Sequence, residues 1–216
     1  MKKPNPSIER TRSGSAGLAF ISFWAKPAPP PRPAHVKRWR REVPLMTLIS
    51  LLERSLPVLS VAGAVGAGLM AGLLFAFSNF VMRALAQMSA AQGMEAMQRI
   101  NVEIINPLFL LLFLGMAAVS LVALAGAFTS GAAQARVWLV VGAGCYLVGV
   151  VGITAVFNVP LNNSIASLSA ASAETAWPIY VATWLRWNHL RTALAAVAST
   201  SLVFSAFRLG AAASTP

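Results

Sequence analysis

The 216-residue chain is 57% hydrophobic and 11% charged, with a mean hydropathy of +0.68, which is more apolar surface than one soluble core of this length can hide. Its net charge of +11 does not mark a groove for nucleic acid, because ten of its seventeen Lys and Arg, including every Lys, lie in the first 45 residues. With no Asp, one cysteine and two histidines, it can form no internal disulfide and has little from which to build a protein-only metal site.

Residues 1–45 mix Lys, Arg and Ser with the run Pro29-Pro30-Pro31-Arg32-Pro33 and show no sustained apolar periodicity, so a disordered basic tail is expected. Met46 opens a sequence of ordinary membrane-protein character, and the expectation is that the true start lies there, the tail arising from a start codon placed too early. The runs that follow are about 20 residues long and apolar on all sides, too long for barrel strands, and in lipid only helices then satisfy their backbone. The expected fold class is all-α: a four-transmembrane-helix bundle over residues 46–209, with a short C-terminal tail at 210–216.

The first span is expected from about Leu56 to Met82, with Pro57 in its first turn and a small-residue face around Gly68 and Gly72 for close helix approach. Residues 83–106 carry Met94, Met97 and Ile100 at helical spacing, which predicts a short amphipathic helix at the interface. Asn106-Pro107 starts the second span, to about Phe128, and Arg136 to Phe157 forms the third. Pro160 predicts a break after it, residues 158–186 a polar loop, and Trp187 to Phe207 the fourth span. The lipid bilayer is the principal partner, and the basic tail predicts a cytoplasmic N-terminus in a multi-pass protein, as in a bacterial inner membrane.

Two polar clusters interrupt the apolar pattern and fall at one end of a four-span bundle. One is Phe157-Asn158-Val159-Pro160-Leu161-Asn162-Asn163; the other is Trp184-Leu185-Arg186-Trp187-Asn188-His189-Leu190-Arg191-Thr192, and Asn106 begins its helix on the same side. Ionisable groups at membrane depth are costly and mark candidate sites. Packing uses are also open: Trp184 and Trp187 fit an interfacial aromatic belt, and the asparagines fit interhelical hydrogen bonds or helix caps.

These motifs, with Gly68 to Met82 and Asn106-Pro107 in the same order, resemble the anthrone oxygenase-like family of small four-helix membrane proteins, over roughly Leu56 to Arg208. The resemblance implies the four-helix fold, and some fungal members are implicated in oxidising anthrones to anthraquinones with O2. It implies a cofactor-free reaction on a small apolar aromatic substrate, since an anthrone has an acidic benzylic carbon and needs only a base and a site for the resulting anion. His189 is the base expected on this view, with Arg191 and Asn188 stabilising the enolate. Asn158 and Asn162 are expected to orient the carbonyl, Trp184 and Trp187 to wall the substrate, and Asn106 and Thr192 to complete the site. Two other classes stay open: a non-catalytic assembly or regulatory protein, and a small transporter or quinone-binding subunit suggested by the expected break in the third span.

Overall fold

The computed structural model describes residues 34–213, and side chains for residues 44–212. The chain divides into two units, Met1–Val43 and Pro44–Pro216. Most of the expected tail lies outside the described residues. The helix α1, Ala34–Ala76, nevertheless begins before the expected boundary, and it holds Pro44 and Pro57 in its interior rather than in a first turn.

The second unit contains four helices long and apolar enough to cross a membrane: Pro44–Ala86, Pro107–Gly126, Arg136–Ile165 and Ala170–Ala212. This makes a multi-pass membrane protein. The first span passes from α1 through a π-helical turn, Phe77–Val81, into α2, Met82–Ala86. The amphipathic segment is α3, Ala90–Glu103, capped by Ser89, whose side chain accepts from the Gln92 N–H, and it buries Met94 and Met97 as their spacing predicts. Asn106 caps α4, Pro107–Gly126, with Pro107 at a first-turn position where a missing N–H costs nothing.

The third span departs from expectation. It begins as α5, Arg136–Gly144, widens into π-helix over Cys145–Gly152 and again over Thr154–Asn158, and continues as α6, Val159–Ile165. Pro160 does not break it. The Val159 N–H bonds back to the Thr154 carbonyl, five residues away, so the turn ahead of Pro160 is already widened and absorbs the bond that the proline cannot make. The expected loop at 158–186 is likewise mostly helix, because α7 runs from Ala173 to Ala213 with Pro178 near its start, and the fourth span begins well before Trp187.

Three buried clusters order the bundle along its axis. Leu56, Ala123, Leu139 and Leu209 share one end, Met70, Met116, Tyr146 and Leu202 the middle, and Met82, Met97, Ile165 and Trp184 the other end. Each span therefore reverses the direction of the one before, and both polar motifs arrive at the end covered by α3. Small residues set the helix spacing: a Cβ on Gly63 or on Gly142 would lie 3.0 Å from Leu202 side-chain atoms, so both glycines receive the same leucine. Ser60 and Ser205 bond at 2.9 Å, and the Ser199 hydroxyl donates to the Ala64 carbonyl at 2.8 Å, tying the first span to the fourth.

The glycines are not equivalent. A Cβ on Gly149 would lie 2.6 Å from Leu194 Cβ, an atom that cannot move without its backbone, whereas one on Gly72 meets nothing within 4 Å. Gly149→Ala is expected to destabilise the bundle by about 1–3 kcal/mol through overpacking, and Gly72→Ala to change stability by less than about 0.5 kcal/mol. Thermal unfolding in detergent checks the pair, and equal melting of the two variants would contradict this packing.

Candidate functional site

Beneath α3, the third and fourth spans place Asn158, Asn188 and Arg191 out of solvent, at 1%, 0% and 6% exposure. Asn188 faces the first span. Its Nδ2 donates to the Leu74 carbonyl and to Ser78 Oγ, both at 2.8 Å, which turns its Oδ1 to accept from Arg191 Nη2 at 2.8 Å. Arg191 Nη1 donates to Thr154 Oγ1 at 2.9 Å, and the Thr154 hydroxyl donates on to the Val150 carbonyl. The guanidinium is thus held by two side chains on different helices, and its carbon lies 5.5 Å from the centre of the Trp184 ring. Asn162 holds that ring in place: its Oδ1 accepts from Trp184 Nε1 at 3.1 Å and from the Tyr180 hydroxyl at 2.9 Å.

These groups border an inner cavity of about 160 Å³ lined by Thr154, Asn158, Asn162, Trp184 and Arg191, together with apolar side chains such as Phe77 and Phe109. A larger outer cavity of about 890 Å³ shares Asn101, Ile105, Val159 and Asn162 with it and extends past Gln98, Arg99 and Glu103. The outer cavity, the vestibule, adjoins the inner one at these shared residues.

Several polar atoms here are buried without a protein partner: both amide atoms of Asn158, Asn101 Nδ2 and Arg191 Nε. Leaving such groups unpaired costs about 1–3 kcal/mol each, so cavity water or a ligand is expected to satisfy them. The charge is similarly placed, since among the described residues no carboxylate pairs with Arg191; the ion pair present is Arg99 with Glu95, on α3. A buried cation without a carboxylate partner makes the cavity favourable to negative charge.

The other expected residues fall elsewhere. His189 is exposed and does not line either cavity; its Nδ1 lies 2.9 Å from Ser78 Oγ. Thr192 donates to the Asn188 carbonyl at 2.8 Å and approaches Ser78 Oγ at 3.3 Å, so it too belongs to the network behind Asn188. Trp187 stacks on Phe157, centroids 3.6 Å apart, away from the cavity, and Asn106 is an exposed cap bonded to the Phe109 N–H and the Glu103 carbonyl. Ser78, Thr154 and Asn101 were not singled out by the sequence. Thr154 lies four residues before Asn158 and Ser78 is next to the more conspicuous Asn79, so spacing held a weak signal for each.

Among the described residues no three His, Cys, Asp or Glu side chains gather as metal ligands. No curated protein and no solved structure is significantly similar to the chain. Residues 109–201 match the family model described as anthrone oxygenase, a stretch that takes in Thr154, Asn158, Asn162, Trp184, Asn188 and Arg191 and stops short of Ser78 and Asn101. With four apolar spans and both polar motifs in the expected order around one cavity, the chain is similar over residues 109–201 to the anthrone oxygenase family.

Proposed function

We propose that the inner cavity receives the ketone edge of an anthrone and that the protein oxidises this substrate with O2 to the corresponding anthraquinone and water. The observation that carries the reading is Asn158, at 1% exposure with neither amide atom bonded, beside a buried Arg191 that lacks a counter-anion. A ketone oxygen set against the Asn158 amide and Arg191 Nε supplies the missing acceptor. When the benzylic carbon loses a proton, that oxygen gains the negative charge which the site already lacks. Preorganised donors of this kind are worth more to the enolate than to the ketone, and that difference lowers the barrier.

The sizes are consistent with this. The inner cavity of about 160 Å³ and the adjoining outer one of about 890 Å³ together leave room for a tricyclic ketone, with its carbonyl edge toward Asn158 and Arg191 and its opposite edge in the vestibule. Asn101 at their junction has a spare donor for a hydroxyl or carbonyl on the outer part of the substrate. Trp184 forms one wall and, held by Asn162, keeps its face over Arg191. In this reading His189 acts through Ser78 and Asn188 to hold the Arg191 fork in position.

A transporter reading loses one of its two supports, because the third span is continuous through Pro160, and keeps only the buried polar groups. The test is anthrone conversion by the purified protein in liposomes, followed as quinone absorbance and O2 uptake. The expected result is one O2 consumed per quinone, at a rate well above autoxidation in liposomes bearing an unrelated membrane protein. Conversion no faster than autoxidation would overturn the oxygenase reading.

A further inference from the structure

The inner cavity holds the anion but offers nothing to take the proton. Its polar lining consists of Arg191, Asn101, Asn158, Asn162, Thr154 and Trp184, none of which is a base near neutral pH. His189 lines neither cavity.

One carboxylate does line the vestibule. Glu103, the last residue of α3, borders it together with Asn101, Ile105 and Asn162, the residues at the entrance to the inner cavity. Its side chain is exposed, and no ion pair engages it among the described residues: Arg99, the cation on the same vestibule wall, is bound to Glu95. The backbone at this point is fixed, because Asn106 Nδ2 donates to the Glu103 carbonyl at 3.0 Å while Asn106 Oδ1 caps α4. Among the described residues the other carboxylates lie outside both cavities, with Glu53 bonded to the Gly131 N–H near the far end of the bundle.

The substrate's shape connects the two places. In an anthrone the ketone and the reactive CH2 are on opposite edges of the central ring, so a ketone directed inward to Asn158 and Arg191 leaves the CH2 facing the vestibule. Resting on the anthrone reading above, we propose that Glu103 is the catalytic base of this reaction. Its carboxylate takes one benzylic proton, and the C–H electron pair passes into the ring system as the enolate. The enolate carbon adds O2, which is reduced to a peroxide bound to that carbon, and Glu103 returns the proton to the outer peroxide oxygen. Glu103 then takes the second C–H proton, whose electron pair forms the new C=O bond as the O–O bond breaks, and the departing hydroxide takes that proton from Glu103 and leaves as water. A carboxylate suffices as base for a carbon acid when strong donors hold the enolate oxygen, which is the role of Arg191 and Asn158 here.

The experiment compares wild type with Glu103→Gln, Glu103→Asp and, as a control on the same helix, Glu95→Gln. The readouts are kcat for anthrone, its pH dependence, and the dissociation constant of the product anthraquinone. Glu103→Gln is expected to lower kcat by about 10²-fold or more near neutral pH, with product affinity unchanged and Glu103→Asp intermediate. As the pH rises through the substrate's own ionisation, the anthrone enters already deprotonated, and Glu103→Gln is expected to recover most of its first-step rate. A role in folding or packing gives no such recovery. Wild-type turnover with unchanged Glu103→Gln turnover, or a loss that persists at every pH with weakened product binding, overturns Glu103 as base and leaves the anthrone reading standing. A wild type no faster than autoxidation overturns both.

Discussion

Asn158→Leu is expected to yield a protein that melts at a higher temperature and has lost most of its activity. The Asn158 amide is buried, and neither of its polar atoms has a protein partner. Leucine has the same branching with a somewhat larger volume, which the adjoining cavity can take up, and no polar atoms to leave unpaired, so the exchange removes a desolvation cost of about 1–3 kcal/mol from the folded state. If the amide serves the substrate ketone, the same exchange deletes one enolate donor and lowers kcat by about 10²-fold or more. Opposite shifts in stability and activity identify a residue kept for function. Thermal unfolding and anthrone turnover on one preparation check this, and a destabilised variant would instead show that Asn158 finds its partners within the protein.

Arg191→Met is expected to have the larger effect on activity, about 10²–10³-fold in kcat, because it removes the one charged side chain that lines the inner cavity among the described residues, together with its fork. Stability changes less than removal of a buried cation would suggest. With no carboxylate partner among the described residues, no anion is left stranded when Arg191 is replaced, although Asn188 Oδ1 loses its donor. Arg191→Lys separates charge from geometry. Lysine keeps the charge but cannot donate to both Asn188 and Thr154 while stacking on Trp184, so it is expected to recover only part of the loss. Turnover near wild type in Arg191→Lys would reduce the role of the guanidinium to its charge. His189→Ala, acting through Ser78 alone, is expected to cost less than Arg191→Met.

Much of the fold was legible because lipid imposes simple rules. Long apolar runs become helices, Asn106-Pro107 reads as cap and first turn, and Met94 with Met97 marks the buried face of α3. The error at Pro160 has a definite source: a proline breaks an α-helical turn, but the sequence gives no warning that the preceding turn is π-helical and has already given up the bond. The same widening explains the missed site residues. Each π turn shifts the helix face relative to a 3.6-residue count, so Thr154 after the Cys145–Gly152 segment, and Ser78 within Phe77–Val81, reach the network at positions that periodicity does not mark. For α7, the polar and alanine-rich stretch before Trp187 looked like a loop because hydropathy measures fitness for lipid, and the helix extends beyond its most apolar part.

Of the residues expected at the site, Asn158, Asn162, Trp184 and Arg191 line the inner cavity and Asn188 bonds to Arg191. The sequence did not separate them from His189, Trp187, Thr192 and Asn106, which are close in sequence but point elsewhere. Neighbours on a helix diverge by about 100° per residue, so a motif such as Trp-Asn-His-Leu-Arg-Thr necessarily spreads its side chains over several faces, and only the packing decides which face meets the cavity.

The central claim, that a substrate carbonyl seats against Arg191 and Asn158, is tested most directly by isotope-edited infrared spectroscopy of bound anthraquinone carrying a single 13C-labelled carbonyl. The carbonyl band is expected at lower frequency than in an apolar solvent, with the shift reduced in Asn158→Leu and absent in Arg191→Met even where the ligand still binds. A bound ligand whose carbonyl band is unshifted in the wild type, or shifted equally in all three proteins, would contradict it.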